Sequence, residues 1–89
     1  SNNGGTTTSG STSLSRTPKW VGAVTADMLN VRKWAGTEYE KIKSWPQLAK
    51  GNLIDVCDKI YDSNDELWYF IRIDGRIFGF VKAEFIQKK

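Results

Sequence analysis

The 89 residues include ten Asp and Glu, a single cysteine (Cys57) and no histidine, and that inventory bounds the chemistry. Ser–His and Cys–His nucleophile pairs need an imidazole to take up the proton, so neither can be assembled. Tetrahedral zinc sites draw on His and Cys, and one Cys without His does not complete one. Glu38 and Glu40 stand two apart, but glycoside hydrolysis needs two carboxyl groups opposed across a cleft, and the seventy residues after position 19 leave little depth for one. Asp62, Asn64 and Glu66 alternate as oxygen donors. A calcium loop counted from Asp62 would need Gly at its sixth place and Glu at its twelfth, where the chain has Leu67 and Ile73. A solvated hairpin turn is the expected role there, and a small packed or half-exposed, unreactive thiol the expected role of Cys57. No catalytic residue, metal ligand or cofactor site is expected.

The chain is rich in rings: four Trp, three Tyr and four Phe, all after residue 19. Exposed rings offer sugars and flat peptide groups a large contact area at low entropic cost. Trp34, Tyr39 and Trp45 fall in a long stretch without a clean period, where a core role is hard to supply. Trp68 opens a strand on the face opposite Tyr69 and Ile71. These four are expected to line one groove. A packing role competes at each: Trp34 as a cap, Tyr39 under its loop, Trp45 with Pro46 as a plug. Trp20 is expected to be a lid on the core, and Phe78 either a bare ring or a cover for the opposite sheet. Asn30 and Arg32 project from their strand beside the same stretch. An Asn amide both donates and accepts. The planar guanidinium of Arg32 suits a ligand carboxylate, or it bonds carbonyls of its own loop.

The elements that must position these residues follow from the pattern. Residues 1–19 are almost wholly Ser, Thr, Asn and Gly and read as a flexible linker, with a reach of about 25 Å from the square-root law for such chains. Residues 20–89 form the domain. Trp20–Val24 reads as a strand. Leu29-Asn30-Val31-Arg32 alternates, sending Leu29 and Val31 inward. Residues 33–50 read as a loop with short paired pieces, and loops of that length in a small domain are usually functional. Residues 53–61 read as a strand with Ile54, Val56 and Ile60 on one face, and residues 67–73 and 76–82 as a hairpin. An odd loop with Gly75 at positive φ puts Tyr69, Ile71, Ile77, Gly79 and Val81 on one face. Residues 83–85 suit one helical turn and Ile86–Gln87 a last strand. The expected class is all-β: five to six short antiparallel strands closing into a small barrel, which removes exposed edges.

Arg16, Lys19, Lys88 and Lys89 account for four of the thirteen Lys and Arg, which leaves nine basic against ten acidic residues in the body. Nucleic-acid binding rests on clustered positive charge and is not expected. No apolar run approaches the roughly 20 residues that span a bilayer, and no membrane insertion or export signal is expected from these residues. The chain begins without Met and reads as a piece of a longer protein.

Taken in order, Val24-Thr25-Ala26-Asp27, Leu29-Asn30-Val31-Arg32, Gly36-Thr37-x-Tyr39, Ile42, Lys50-Gly51, Val56, Trp68-Tyr69, Ile71, Gly75, Gly79-Phe80-Val81 and Phe85-Ile86 resemble the bacterial SH3-like domains. The long form, with Lys43-Ser44-Trp45-Pro46-Gln47-Leu48 before Lys50-Gly51, looks like the modules at the C-terminal end of phage endolysins and bacterial cell-wall hydrolases. The resemblance implies an SH3-like barrel that binds cell-wall peptidoglycan and holds a covalently linked N-terminal catalytic domain near its substrate. Such a module would itself be monomeric and non-enzymatic, and would act outside the cell or on the wall. Where many members carry Ser-Gly-Pro-Gly-Thr, this chain has Lys33-Trp34-Ala35-Gly36-Thr37. The ligand-binding residues expected from the residues and the resemblance together are Asn30, Arg32, Trp34, Thr37, Tyr39, Trp45 and Trp68. Two other functions fit the same features: a barrel that reads proline-rich or extended peptides, and a structural domain docked on its own catalytic domain.

Overall fold

The computed structural model describes residues 14–89; residues 1–13 of the expected linker lie outside the described residues. The elements in chain order are β1 (Trp20–Val24), β2 (Met28–Asn30), β3 (Gln47–Ala49), β4 (Leu53–Tyr61), β5 (Leu67–Ile73), β6 (Ile77–Lys82), a 3-10 turn (Ala83–Phe85) and β7 (Ile86–Lys88). The domain is all-β. Its main sheet has the order β6-β5-β4-β1-β7, and β2 pairs with β3 in a second, two-stranded sheet. All pairings are antiparallel. The described strands number seven rather than five or six, because the long stretch after Arg32, read as a loop with short paired pieces, contributes β3; the expected last strand is present as β7.

The two sheets are joined at Arg32. Its backbone N–H donates to the Phe80 carbonyl at 2.9 Å, and the Phe80 N–H returns a bond to the Arg32 carbonyl at 2.9 Å. Val31 N–H donates to Pro46 O and Ile42 N–H to Val31 O, each at 2.9 Å. The backbone polar groups of this buried crossing are thereby satisfied, as burial requires. Leu29 and Val31 point into the core, as alternation predicts, and Asn30 and Arg32 stay half-buried.

The first core cluster is aliphatic: Val24, Leu29, Val31, Leu48, Ile54, Val56, Ile71, Ile73 and Val81. The β5–β6 hairpin delivers its share through the expected odd loop. Ile73 faces Ile77, Ile71 faces Gly79 and Tyr69 faces Val81, while Asp74 and Gly75 carry φ of 56° and 71°. Gly79 is where the layers meet, since a Cβ there would collide with Val31 Cγ1.

One expected alternation fails. The register of β4 against β5 slips between Val56 and Asp58, so Cys57 is the extra residue of a β-bulge. Ile54 and Val56 join the aliphatic cluster, but Ile60, paired with Trp68, packs on the opposite face. That second cluster is Ala35, Cys57, Trp68, Phe70 and Phe80, with Leu14, Ile60 and Phe78 against it. Phe78 is therefore a cover for the sheet rather than a bare ring. Residues before the expected boundary at residue 20 also touch the domain. Leu14 packs on this second face and the Ser15 amide donates to Asp58 Oδ2 at 2.8 Å, while the Lys19 amide, beside the Trp20–Val56 pairing, donates to the Val56 carbonyl at 2.8 Å.

Candidate ligand-binding groove

Four of the seven expected residues converge. Asn30 leaves the end of β2, Arg32 the crossing between sheets, Thr37 the loop beyond it and Trp68 the start of β5. Together with Met28, Leu29, Lys82 and Phe85 they line a groove of about 210 Å³. The strand alternation that buries Leu29 and Val31 is what turns Asn30 and Arg32 toward it. The loop carrying Thr37 is held back over Arg32: Arg32 Nη1 donates to the Tyr39 carbonyl at 2.8 Å, Lys33 N–H donates to Glu40 O at 2.9 Å, and Tyr39 N–H donates to Gly36 O at 3.3 Å. Gly36 has φ of 142°, a backbone state that L side chains avoid, so the turn before Thr37 depends on it.

The groove is rich in donors. Gln47 Nε2 donates to Asn30 Oδ1 at 3.1 Å, which leaves the Asn30 amide to offer its N–H groups. A guanidinium has five N–H donors, and the bond to Tyr39 uses one. The Thr37 hydroxyl is exposed. Lys82 sits at the rim with Glu66 Oε1 at 3.1 Å and Glu84 Oε1 at 3.8 Å; the hydrogen bond it donates to the Glu66 carboxylate raises the Lys82 ammonium above its ordinary value. Apolar surface comes from Met28, which is 64% exposed, and from Phe85. Donors over an apolar floor suit a ligand carrying carbonyl or carboxylate oxygens.

The expected single groove of four rings does not form. Trp68 is only 2% exposed and belongs to the second core cluster; it closes the groove floor and does not display a ring face. Its indole N–H donates to Asp62 Oδ2 at 2.8 Å. Trp45 packs against the aliphatic core, the plug role rather than the binding one. Trp34 leans on Phe80, ring centroids 4.8 Å apart, and lines a separate recess with Leu14, Arg16, Phe70 and Phe80. Tyr39 is 40% exposed and lines neither recess. Long-range contacts set the split: Trp34, two residues past the crossing, rests on Phe80, and the Val31 amide bonded to the Pro46 carbonyl holds the neighbouring Trp45 against the core.

Sequence reasoning missed Met28, Lys82 and Phe85 as groove residues. Nothing local marks them, because they arrive from the two chain segments that flank the sheet junction. The acidic turn is accounted for by its own backbone. Asp62 Oδ1 accepts the Asn64 and Glu66 amides at 2.8 and 2.9 Å, an Asx-type turn. Cys57 is fully buried, and burial pushes its thiol above the ordinary value, the environment of an inert sulfhydryl. A third recess of about 230 Å³ lies beside Lys19, Trp20, Cys57 and Tyr69. Trp20 and Tyr69 there are packed edge to face at 5.2 Å, so both rings are spent on each other, with Trp20 as the expected lid.

No family model matches this chain, and no curated protein or solved structure is significantly similar to it.

Proposed function

We propose that this domain is a non-catalytic module that binds cell-wall peptidoglycan through the Asn30–Arg32–Thr37 groove, in the manner of the bacterial SH3-like domains whose ordered motifs it resembles. The observation that carries the reading is the convergence of those three donors in one groove beside the sheet junction. Peptidoglycan supplies the matching acceptors, since stem peptides and N-acyl sugars present carbonyl and carboxylate oxygens along a polymer. The size of the groove argues the same way. At about 210 Å³ it is smaller than the roughly 300–1,000 Å³ of pockets that engulf a small molecule, and it fits a stretch of polymer passing through. A single shallow groove binds weakly. Covalent attachment to a lytic domain would compensate, because a tether turns one binding event into a raised local concentration for the other. On this reading the module works as a monomer outside the cell, and bond cleavage belongs to the attached domain.

The experiment is co-sedimentation of the chain with purified sacculi. Retention by sacculi from at least one host is expected, with a loss of about tenfold, equivalent to 1.4 kcal/mol, for the Arg32→Ala and Thr37→Ala variants at unchanged fold. A chain that no wall preparation retains sinks the proposal. Retention that a proline-rich peptide array abolishes and wall fragments do not would favour the peptide-reading alternative.

A further inference from the structure

The outer face of the main sheet carries a row of four rings. Trp34 lies against Phe80 at 4.8 Å, Phe80 against Phe70 at 4.9 Å, and Phe70 is stacked on Phe78 at 5.3 Å. Leu14 packs into the cluster and shares a recess with Trp34, Phe70 and Phe80. The Arg16 guanidinium sits 5.4 Å over the Phe78 ring at the other end of the row. Between them the Ser15 amide donates to Asp58 Oδ2 at 2.8 Å, and Cys57 Sγ lies 3.7 Å from the Arg16 carbonyl.

Composition makes this contact specific. Among residues 1–17, Leu14 is the one aliphatic side chain and Arg16 the one charged side chain. They stand two apart, so an extended backbone points both to the same side, with Ser15 between them giving its N–H to Asp58. The receiving surface is equally particular. The bulge at Cys57 brings Asp58 opposite Phe70, onto the ring face, where regular alternation would have turned it away. A cation over a ring and an aliphatic group among rings are both favourable.

We propose that the ring row is a docking surface for an extended peptide bearing an aliphatic side chain and an arginine two residues later, and that its occupant is the chain's own Leu14–Arg16 segment. The segment latches the linker to the domain, so that the tether leaves beside Trp34 and not at Trp20. This inference does not depend on what the Arg32 groove binds.

Amide hydrogen exchange on the full chain tests it. The Ser15 amide is expected to exchange at least tenfold more slowly than a free-chain amide, and trypsin to cut after Arg16 correspondingly slowly. In the Leu14→Ser, Arg16→Ser double variant that protection disappears while the β4–β5 amides keep theirs. Adding the peptide Ser-Thr-Ser-Leu-Ser-Arg-Thr-Pro at millimolar concentration to this variant shifts the Trp34 and Phe78 resonances, and leaves those of the unmodified chain unmoved because its site is filled. If the double variant does not fold, Asp58→Ala provides the same reading at Ser15. Free-chain exchange at Ser15 in the unmodified protein, or no response of the opened variant to the peptide, overturns the proposal. Protection that falls on dilution would assign the occupant to a second copy of the chain and overturn it as stated.

Discussion

The indole N–H of Trp68 donates to Oδ2 of Asp62, six residues earlier, at 2.8 Å, and this bond ties the polar turn between β4 and β5 to the floor of the groove. The other oxygen of the same carboxylate accepts the Asn64 and Glu66 amides. One side chain thus holds both the turn and a core tryptophan. Asp62→Ala is expected to cost more than Trp68→Phe in thermal denaturation, because it leaves a buried indole donor and two turn amides to find new partners. Equal effects of the two substitutions would show that the turn does not depend on the carboxylate.

The same carboxyl group gives a pH signature. Asp62 lies below its ordinary value, chiefly through the Glu66 amide hydrogen bond, with further lowering from the Trp68 indole, the Asn64 amide and the positive charge of Lys82. A depressed folded value means that its contribution is complete above the unfolded carboxylate value of about 3.9 and is lost as pH falls through the lower folded value. The Trp68 Nε1–H resonance should stay constant from neutral pH to about pH 5 and move only in more acid solution, following that sign. In Asp62→Asn the acid-dependent movement should vanish. A resonance that titrates near neutrality would contradict the assignment.

Gly79→Ala should lower stability without touching any exposed residue. The added Cβ meets Val31 Cγ1 and lies 3.3 Å from Ile42 Cδ1, and Val31, fully buried, has no free direction to move. Overpacking of this kind costs about 1–3 kcal/mol, which for a domain of this size lowers Tm by roughly 4–8 °C per kcal/mol. An unchanged Tm would mean that the two sheets can separate at this crossing at no cost.

Trp34 separates stability from binding less cleanly than its loop position suggests. Its ring is 37% exposed and rests on Phe80, so Trp34→Ala should cost about 1 kcal/mol through the lost aromatic pair and also loosen Leu14. Trp34→Phe should restore most of the stability. If Trp34 also touches wall polymer, Trp34→Phe will still bind less than the unmodified chain in sacculus co-sedimentation.

Arg32→Lys keeps the charge but loses the fork that reaches the Tyr39 carbonyl. It is expected to increase amide exchange across residues 36–40 and to weaken retention on sacculi nearly as much as Arg32→Ala, since an ammonium cannot hold a loop carbonyl and a ligand oxygen at once in the same geometry. Full retention by Arg32→Lys would reduce the role of Arg32 to charge alone.

Much of the fold was legible because local rules were sufficient. Leu29 and Val31 alternate inward, Gly75 permits the odd hairpin loop, and Gly79 sits where no side chain fits. The error at Ile60 has a definite origin. A bulge inserts one residue without a compositional mark, and every later side chain in the strand then changes face. The groove was legible on its strand side, in Asn30 and Arg32, and at Thr37. Met28, Lys82 and Phe85 were not, because nothing in their neighbourhoods states what lies opposite.

The amino-acid order by itself determined the all-β class, the inward and outward faces of most strands, and a chemistry without histidine-based catalysis. Each follows from residue identity and short-range backbone preference. The tertiary structure alone decided that the four expected rings divide among a core floor, a plug, an exposed loop and a separate ring row, and that Leu14 packs against that row with Arg16 over Phe78. Those outcomes depend on contacts between residues far apart in the chain, set by the Arg32–Phe80 crossing and the Cys57 bulge, and local sequence preference does not encode them.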